Sequence, residues 1–255
     1  MNHVRKSAAA ALLAVSIMGS QATAEEWEFK GSFNLWGAGV EGTTAAGAEI
    51  DVDFGDILEN LEFSFQGTLE AKRGKFVALA DIIYIDVGTG AGSTRPLIPG
   101  LPGGGFTIDA VAKADVESTI VNVLGGYELL NQNGFTLQGL AGARYVDLDT
   151  TVNLALSIGP LQRSAVVRAN VDSFDAIVGM RGEIEISENW FVPYYFDIGT
   201  GESDFTWQAF AGVGYDFGRS EVTFGYRHME WDFGSGEPLN DVAFSGPGLR
   251  YSYKF

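Results

Sequence analysis

Large apolar residues alternate with polar or small ones along most of this chain, and the period is two. In 204–218, Phe205, Trp207, Ala209, Ala211, Val213, Tyr215 and Phe217 share one face, and Thr206, Gln208, Gly212, Gly214 and Asp216 share the other. In 61–72, Leu61, Phe63, Phe65, Gly67, Leu69 and Ala71 alternate with Glu62, Ser64, Gln66, Thr68, Glu70 and Lys72. In 173–187, Phe174, Ala176, Val178, Met180, Ile184 and Ile186 alternate with Asp175, Arg181, Glu183 and Glu185. A helix would instead group residues three and four apart. The same pattern predicts strands near 28–40, 61–72, 75–87, 115–129, 135–149, 173–187, 190–199, 204–218, 221–233 and 242–255.

The connections alternate in length. Lys72-Arg73-Gly74-Lys75, Asn131-Gln132-Asn133-Gly134, Ser187-Glu188-Asn189 and Gly218-Arg219-Ser220 read as tight turns. Longer links cover 41–60, 88–114 and 150–172. Beyond the first two dozen residues no stretch is long and apolar enough to be a membrane helix. Strands with one lipid face and one lumen face, short turns at one end and long loops at the other, describe an all-β antiparallel transmembrane β-barrel. The expectation is about ten strands, or eight if two segments are extracellular extensions. Short turns then lie on the periplasmic side and longer loops outside.

The aromatics separate this from a soluble sandwich. Trp27, Phe76, Tyr127, Phe135, Trp190, Tyr215, Phe217, Tyr253 and Phe255 fall at the periplasmic strand ends, and Trp36, Tyr84, Tyr145 and Trp231 toward the opposite ends. Two girdles at the lipid–water boundaries give that distribution, whereas a sandwich core concentrates aromatics in mid-strand. Strand glycines such as Gly212, Gly214, Gly246 and Gly248 fit a small, sharply curved barrel.

The amino terminus has a positive start (Arg5, Lys6), a short apolar core from Ala8 to Met18, and small residues Ala22-Thr23-Ala24. This is a signal peptide over 1–24, leaving 25–255 as one barrel domain. The formal net charge is −17, and loss of Arg5 and Lys6 makes the mature chain more acidic still. That excludes a nucleic-acid partner, whose affinity rests on Lys and Arg. It suits a surface among anionic lipids bridged by divalent cations. With no cysteine there is no disulfide framework and no thiolate metal site.

The signal peptide, the alternating hairpins, the Gly212-Val213-Gly214-Tyr215 strand and the Tyr251-Ser252-Tyr253-Lys254-Phe255 ending resemble the bacterial outer-membrane β-barrel domain family, the opacity-type surface antigen group. The resemblance covers the whole mature chain. It implies a porin-like cell-envelope protein of the Gram-negative outer membrane, surrounded by lipopolysaccharide, with Tyr251, Tyr253 and Phe255 as the signal read by the barrel-assembly machinery. The group includes adhesins, structural proteins and small channels, so the resemblance speaks to location and fold.

On the register above, Glu62, Glu70, Asp81, Asp175, Glu183 and Asp197 point into the lumen, as do Lys72, Arg144, Arg181, Arg227, Arg250 and Lys254. Buried charges need partners, so each arginine is expected to meet a carboxylate and fill the narrow interior. The competing reading is a gated conduit, and interior width grows only with strand number. His228, the sole histidine of the mature chain, lies with Arg227 and Glu230 near the outer end of a strand. No Ser lies within two residues of it, so a catalytic role would need a Ser, Asp or Glu from another strand. Asp51-Val52-Asp53-Phe54-Gly55-Asp56, with Glu62 further on, echoes a calcium loop but reverses its fifth and sixth positions. An acidic loop, with Ile57, Leu58 and Leu61 folding over the barrel mouth, is the plainer reading. The 88–105 stretch carries Pro96, Pro99, Pro102 and three consecutive glycines, and so is expected not to be regular structure for long. No cofactor or metal is implied. The leading expectation is a monomeric, non-enzymatic surface barrel with a structural or contact role; the alternatives are a passive small-solute channel and an enzyme at the outer rim.

Overall fold

The computed structural model describes residues 26–45, 49–52, 64–96, 107–158, 161–234 and 237–255. Its strands are β1 (Glu28–Trp36), β2 (Gly39–Thr44), β3 (Glu49–Val52), β4 (Ser64–Arg73), β5 (Phe76–Pro96), β6 (Thr107–Gln132), β7 (Phe135–Ile158), β8 (Leu161–Glu185), β9 (Trp190–Gly201), β10 (Phe205–Asp216), β11 (Ser220–Asp232) and β12 (Leu239–Lys254). Every pairing is antiparallel between neighbours, and β1 closes the ring on β12 from Lys30↔Lys254 to Trp36↔Gly248. Ten strands, β1 and β4 to β12, therefore make the barrel. β2 continues the line of β1 along the outer half of β12, and β3 adds to β2.

The turn sequences explain the tight ends. Asn133 and Gly134 alone join β6 to β7, with φ of 55° and 72°. Both are positive, as a two-residue primed turn demands, and Asn-Gly is the pair that tolerates it. At the break between β1 and β2 the backbone passes so close to Gly246 that a Cβ there would collide with the Gly37 carbonyl. Glycine lets the strands cross at this point.

The longer links differ from the sequence expectation. The 88–114 and 150–172 stretches are largely strand. β5 and β6 stay paired from Phe76↔Tyr127 to Pro96↔Thr107, and β7 and β8 from Phe135↔Ile184 to Ile158↔Leu161. Pro96 fits because β4 leaves β5 at Tyr84, so the other edge of β5 beyond that point has no ladder from β4 to break. Pro99, Pro102 and the glycines at 103–105 lie outside the described residues, as does 53–63. Part of 41–60 is also ordered, as the β2–β3 hairpin. Beyond the barrel rim β5 to β8 thus continue as a four-stranded sheet. Ile85–Pro96 alone is roughly 40 Å of extended chain at ~3.3 Å per residue.

The outer wall is apolar: Phe33, Leu69, Phe76, Val123, Val178 and Phe224 are all exposed on it. At its inner edge aromatics pair around the ring, including Trp27–Phe29, Phe29–Phe255, Phe76–Tyr127 and Trp190–Tyr215. At the outer edge Phe65 meets Tyr84, and Phe196 meets Trp207. Two residues expected there are elsewhere. Trp36 and Trp231 are 2% and 0% exposed and face the interior. Trp36 has the parity of the inward Asn34, and Trp231 that of Arg227, so a strand cannot turn them to lipid.

Phe255 closes the inner girdle. Its ring stacks on Phe29 at 6.0 Å, and its backbone N–H donates to the Phe29 carbonyl at 3.0 Å. Deleting Phe255 is expected to lower the yield of heat-modifiable folded barrel on gels more than removing 89–114, whose described residues pair beyond the rim. Equal yields for the two variants would contradict this register.

Candidate functional site

The interior is stacked in layers, set by which inward position of each strand falls at which height. Nearest the turns are ion pairs. Lys254 reaches Glu221 at 2.7 Å and Asp216 at 2.9 Å, Lys30 lies 3.5 Å from Glu221, and Lys72 lies 2.9 Å from Glu128. Arg181 meets Glu70 at 2.8 Å and donates from Nε to Gln138 at 2.7 Å.

The middle layer centres on Arg144, which is fully buried. Its guanidinium donates to Asp197 at 2.6 Å, Asn122 at 2.8 Å, Gln208 at 3.0 Å and Thr206 at 3.1 Å. Asp81 accepts from Gln66, Thr68 and Asn122, and lies 3.9 Å from Arg227. Arg227 in turn donates to Gln66 Oε1 at 2.6 Å. Strands from every side of the ring contribute, so this layer ties opposite walls together.

The outer layer is apolar. Trp36, Val40, Ile83, Ile85, Ile120, Leu148, Met229, Trp231 and Phe244 form one buried cluster across the lumen. Two of its rings cap the layer below: Arg144 lies 5.5 Å from the centre of Trp231, and Arg227 lies 5.4 Å from that of Trp36. A guanidinium packed on an aromatic face keeps favourable electrostatics where water is excluded.

Among the residues singled out from sequence, Arg144, Arg181 and Arg227 each lie beside a carboxylate, Asp197, Glu70 and Asp81 respectively. Arg250 does not, among the described residues. It donates to Asn34 Oδ1 at 2.7 Å and packs over Phe210 at 5.1 Å, a neutral side chain and a ring taking the place of the expected acid. Asp175 is fully buried but accepts from Ser173 Oγ and the Ser203 N–H, both at 3.0 Å. Glu183 lies on the inward face, with its own N–H donating to Thr136. Glu62 lies outside the described residues. Tyr251 and Tyr253 are exposed on the outer wall. The neutral members, Asn34, Gln66, Asn122, Thr206 and Gln208, were not singled out. Their inward parity was the available signal.

His228 and Glu230 face outward, away from the lumen. His228 Nε2 lies 3.1 Å from Glu230 Oε2, which also accepts from Trp207 Nε1 at 2.9 Å, and the Trp207 and His228 rings are 4.5 Å apart. Ser245 sits directly opposite His228 in the β11–β12 register. No hydrogen bond joins the two, so the nucleophile–base contact of a catalytic triad is unmade. Of the calcium-loop echo, Asp51 is in β3 opposite Glu41, while Asp53, Asp56 and Glu62 lie outside the described residues. Among the described residues no cluster of acids and histidines could hold a metal.

Above the outer girdle the outward face of β5 to β8 turns acidic. Asp86 pairs with Glu117, Glu117 with Asp149, and Asp147 with Asp172. Partial burial, together with Asp149, Asp172 and Glu117, pushes the Asp147 carboxyl above the usual range.

No family model and no curated protein matches the chain. Among solved structures it is similar to the outer membrane protease OmpT from Escherichia coli, with 10% identity and a TM-score of 0.53 over 93% of this chain and 99% of that one. It also matches Ail, the attachment invasion locus protein of Yersinia pestis, at 11% identity and TM-score 0.34 over 90% and 99% of the two chains. The translocator domain of the autotransporter NalP from Neisseria meningitidis matches at 13% identity and TM-score 0.42 over 92% and 90%. The first of these shares the fold, the closed antiparallel barrel of an outer-membrane protein.

Removing one member of a buried ion pair costs roughly 3–5 kcal/mol, because the other charge is stranded. Arg144→Ala is therefore expected to lower the unfolding midpoint far more than Arg168→Ala, at an exposed position beyond the rim. The double change Arg144→Met with Asp197→Leu should recover part of the loss, and a loss equal to that of the Arg168 variant would break the pairing argument. In the acidic patch, the raised folded-state value means that ionising Asp147 opposes the fold. Its cost is absent in acid and grows as the pH rises through the carboxylate range. Asp147→Asn should thus protect the outer hairpins from proteolysis at neutral pH, with the gain vanishing at low pH.

Proposed function

We propose that this protein is a non-enzymatic barrel of the bacterial outer membrane, with a structural and surface-contact role. It is exported by a signal peptide ending at Ala24, inserted by the barrel-assembly machinery through its terminal strand, and seated as a monomer among lipopolysaccharide. The observation that carries the reading is the filled interior. The Arg144–Asp197 layer spans the lumen, and the Trp36–Trp231–Phe244 cluster covers it. Water-filled channels are typical of barrels with many more strands, about 16–18.

What remains available to a partner is the sheet of β5 to β8 beyond the rim. Its acidic outward face stands at the height where a lipopolysaccharide-rich leaflet presents phosphates and divalent cations. An enzymatic role at the rim has less support, because the His228–Glu230 pair turns to the outer wall and His228 makes no hydrogen bond to Ser245.

Purified protein in planar bilayers is expected to give rare, small or no conductance steps. Stable, reproducible openings would overturn the closed-lumen reading and favour passive solute passage. In that event, neutralising Glu70, Asp81 or Asp197 should shift the reversal potential in a salt gradient, since inward acids select cations.

A further inference from the structure

Inside the barrel, between Arg227 and Arg250, lies a cavity of about 20 Å³. Its wall includes Asn34, Gln66, Thr223, Arg227 and Arg250, and among the described residues it contains two guanidiniums and no carboxylate. Asp81 is the carboxylate that reaches Arg227, at 3.9 Å, and it already accepts from three other side chains. We propose that this cavity binds one small monovalent anion of the halide class, held between Arg227, Arg250 and Asn34.

The free hydrogen-bonding atoms favour an acceptor. Arg227 Nε and Asn34 Nδ2 are buried with no partner, and both residues line the cavity. The two amide oxygens on the wall each accept already: Gln66 Oε1 takes a hydrogen bond from Arg227, and Asn34 Oδ1 takes one from Arg250. A water molecule can accept only two hydrogen bonds and must find acceptors for its own protons. A halide only accepts, so it suits both of these donors. The rings of Trp36 and Phe210 cover one face of Arg227 and Arg250, at 5.4 Å and 5.1 Å, which leaves the in-plane N–H groups as their remaining outlet. Burying an unpaired charge is costly, and an anion here offsets the cation that Asp81 does not neutralise. Size sets the class of ion. One water needs roughly 10–15 Å³ by this measure, so the cavity takes a single small ion and leaves out phosphate or sulfate.

Two measurements test the site. Crystals of the mature protein grown in sodium bromide should show an anomalous peak in the cavity beside Arg227 Nε. In solution at constant ionic strength, replacing chloride by gluconate, which is too large to enter, should lower the unfolding midpoint by a few degrees. Arg250→Gln should abolish that difference, while Arg73→Gln, at an exposed cation, should keep it. If Arg250→Gln fails to fold, the wild-type bromide crystal decides alone. A cavity holding only water, or equal midpoints in chloride and gluconate, overturns the proposal. Bilayer conductance tests the closed lumen separately, because an occupied cavity and a conducting barrel are read by different signals.

Discussion

Closure of the ring is the constraint on which everything else depends. In hydrocarbon an unpaired backbone N–H or C=O has no water to turn to, so a sheet can cross a membrane only when it has no free edge. The pairing of β1 with β12, seven residues long from Lys30↔Lys254 to Trp36↔Gly248, removes the last edge at membrane height. Where the chain leaves the membrane the constraint lapses. There β4 departs from β5 at Tyr84 and β9 from β8 at Asp175, so β5 and β8 run on with one edge released. The break between β1 and β2 belongs to the same level. It lets one strand serve the ring below and a small hairpin above.

Closure at ten strands then dictates the interior. The lumen is too narrow to be left as bulk water and too wide for backbone alone, so side chains must meet across it. Charges can do so only where hydrogen bonds reach them, and around Arg144 the chain supplies these with amides and hydroxyls set among the ions. Arg144 has one carboxylate and three neutral acceptors, which distributes its positive charge over three strands besides its own. Toward the outside the lumen fills with apolar residues instead. Burying the Trp231 and Trp36 rings over Arg144 and Arg227 joins the two regimes, since an aromatic ring presents an apolar body and an electron-rich face.

Much of this was legible because a strand has only two faces. Parity sorted lipid-facing Phe205, Val213 and Phe217 from inward Thr206, Gln208 and Asp216 without any tertiary information. Asn133-Gly134 marked its turn for an equally local reason. Three things were missed, the first of them legible. Trp36 and Trp231 were assigned by composition, as girdle aromatics, where parity should have decided. The extensions of β5 to β8 were read as loops because glycine, proline and polar residues dilute the lipid-type alternation, although Val152, Leu154, Leu156 and Ile158 still keep the period. The partner of Arg250 depends on which inward side chains meet across the ring, and that follows from strand tilt and register, which no single strand encodes. The contact between Arg227 of β11 and Gln66 of β4 is of this kind, spanning 161 residues of sequence.

The asymmetry of the barrel bears on where function lies. The turns at the inner end are two to four residues long, and the lumen is filled by pairs and rings. Four consecutive strands, by contrast, continue well past the height at which lipid contact ends, and their outward side changes there from aromatic to acidic within one residue pair, from Tyr84 and Tyr145 to Asp86 and Asp147. Such a change is expected at the boundary between hydrocarbon and a charged headgroup layer. Mutual repulsion among Asp147, Asp149, Asp172 and Glu117 works against the fold. A counter-cation layer at the membrane surface, the setting proposed above, would relieve it.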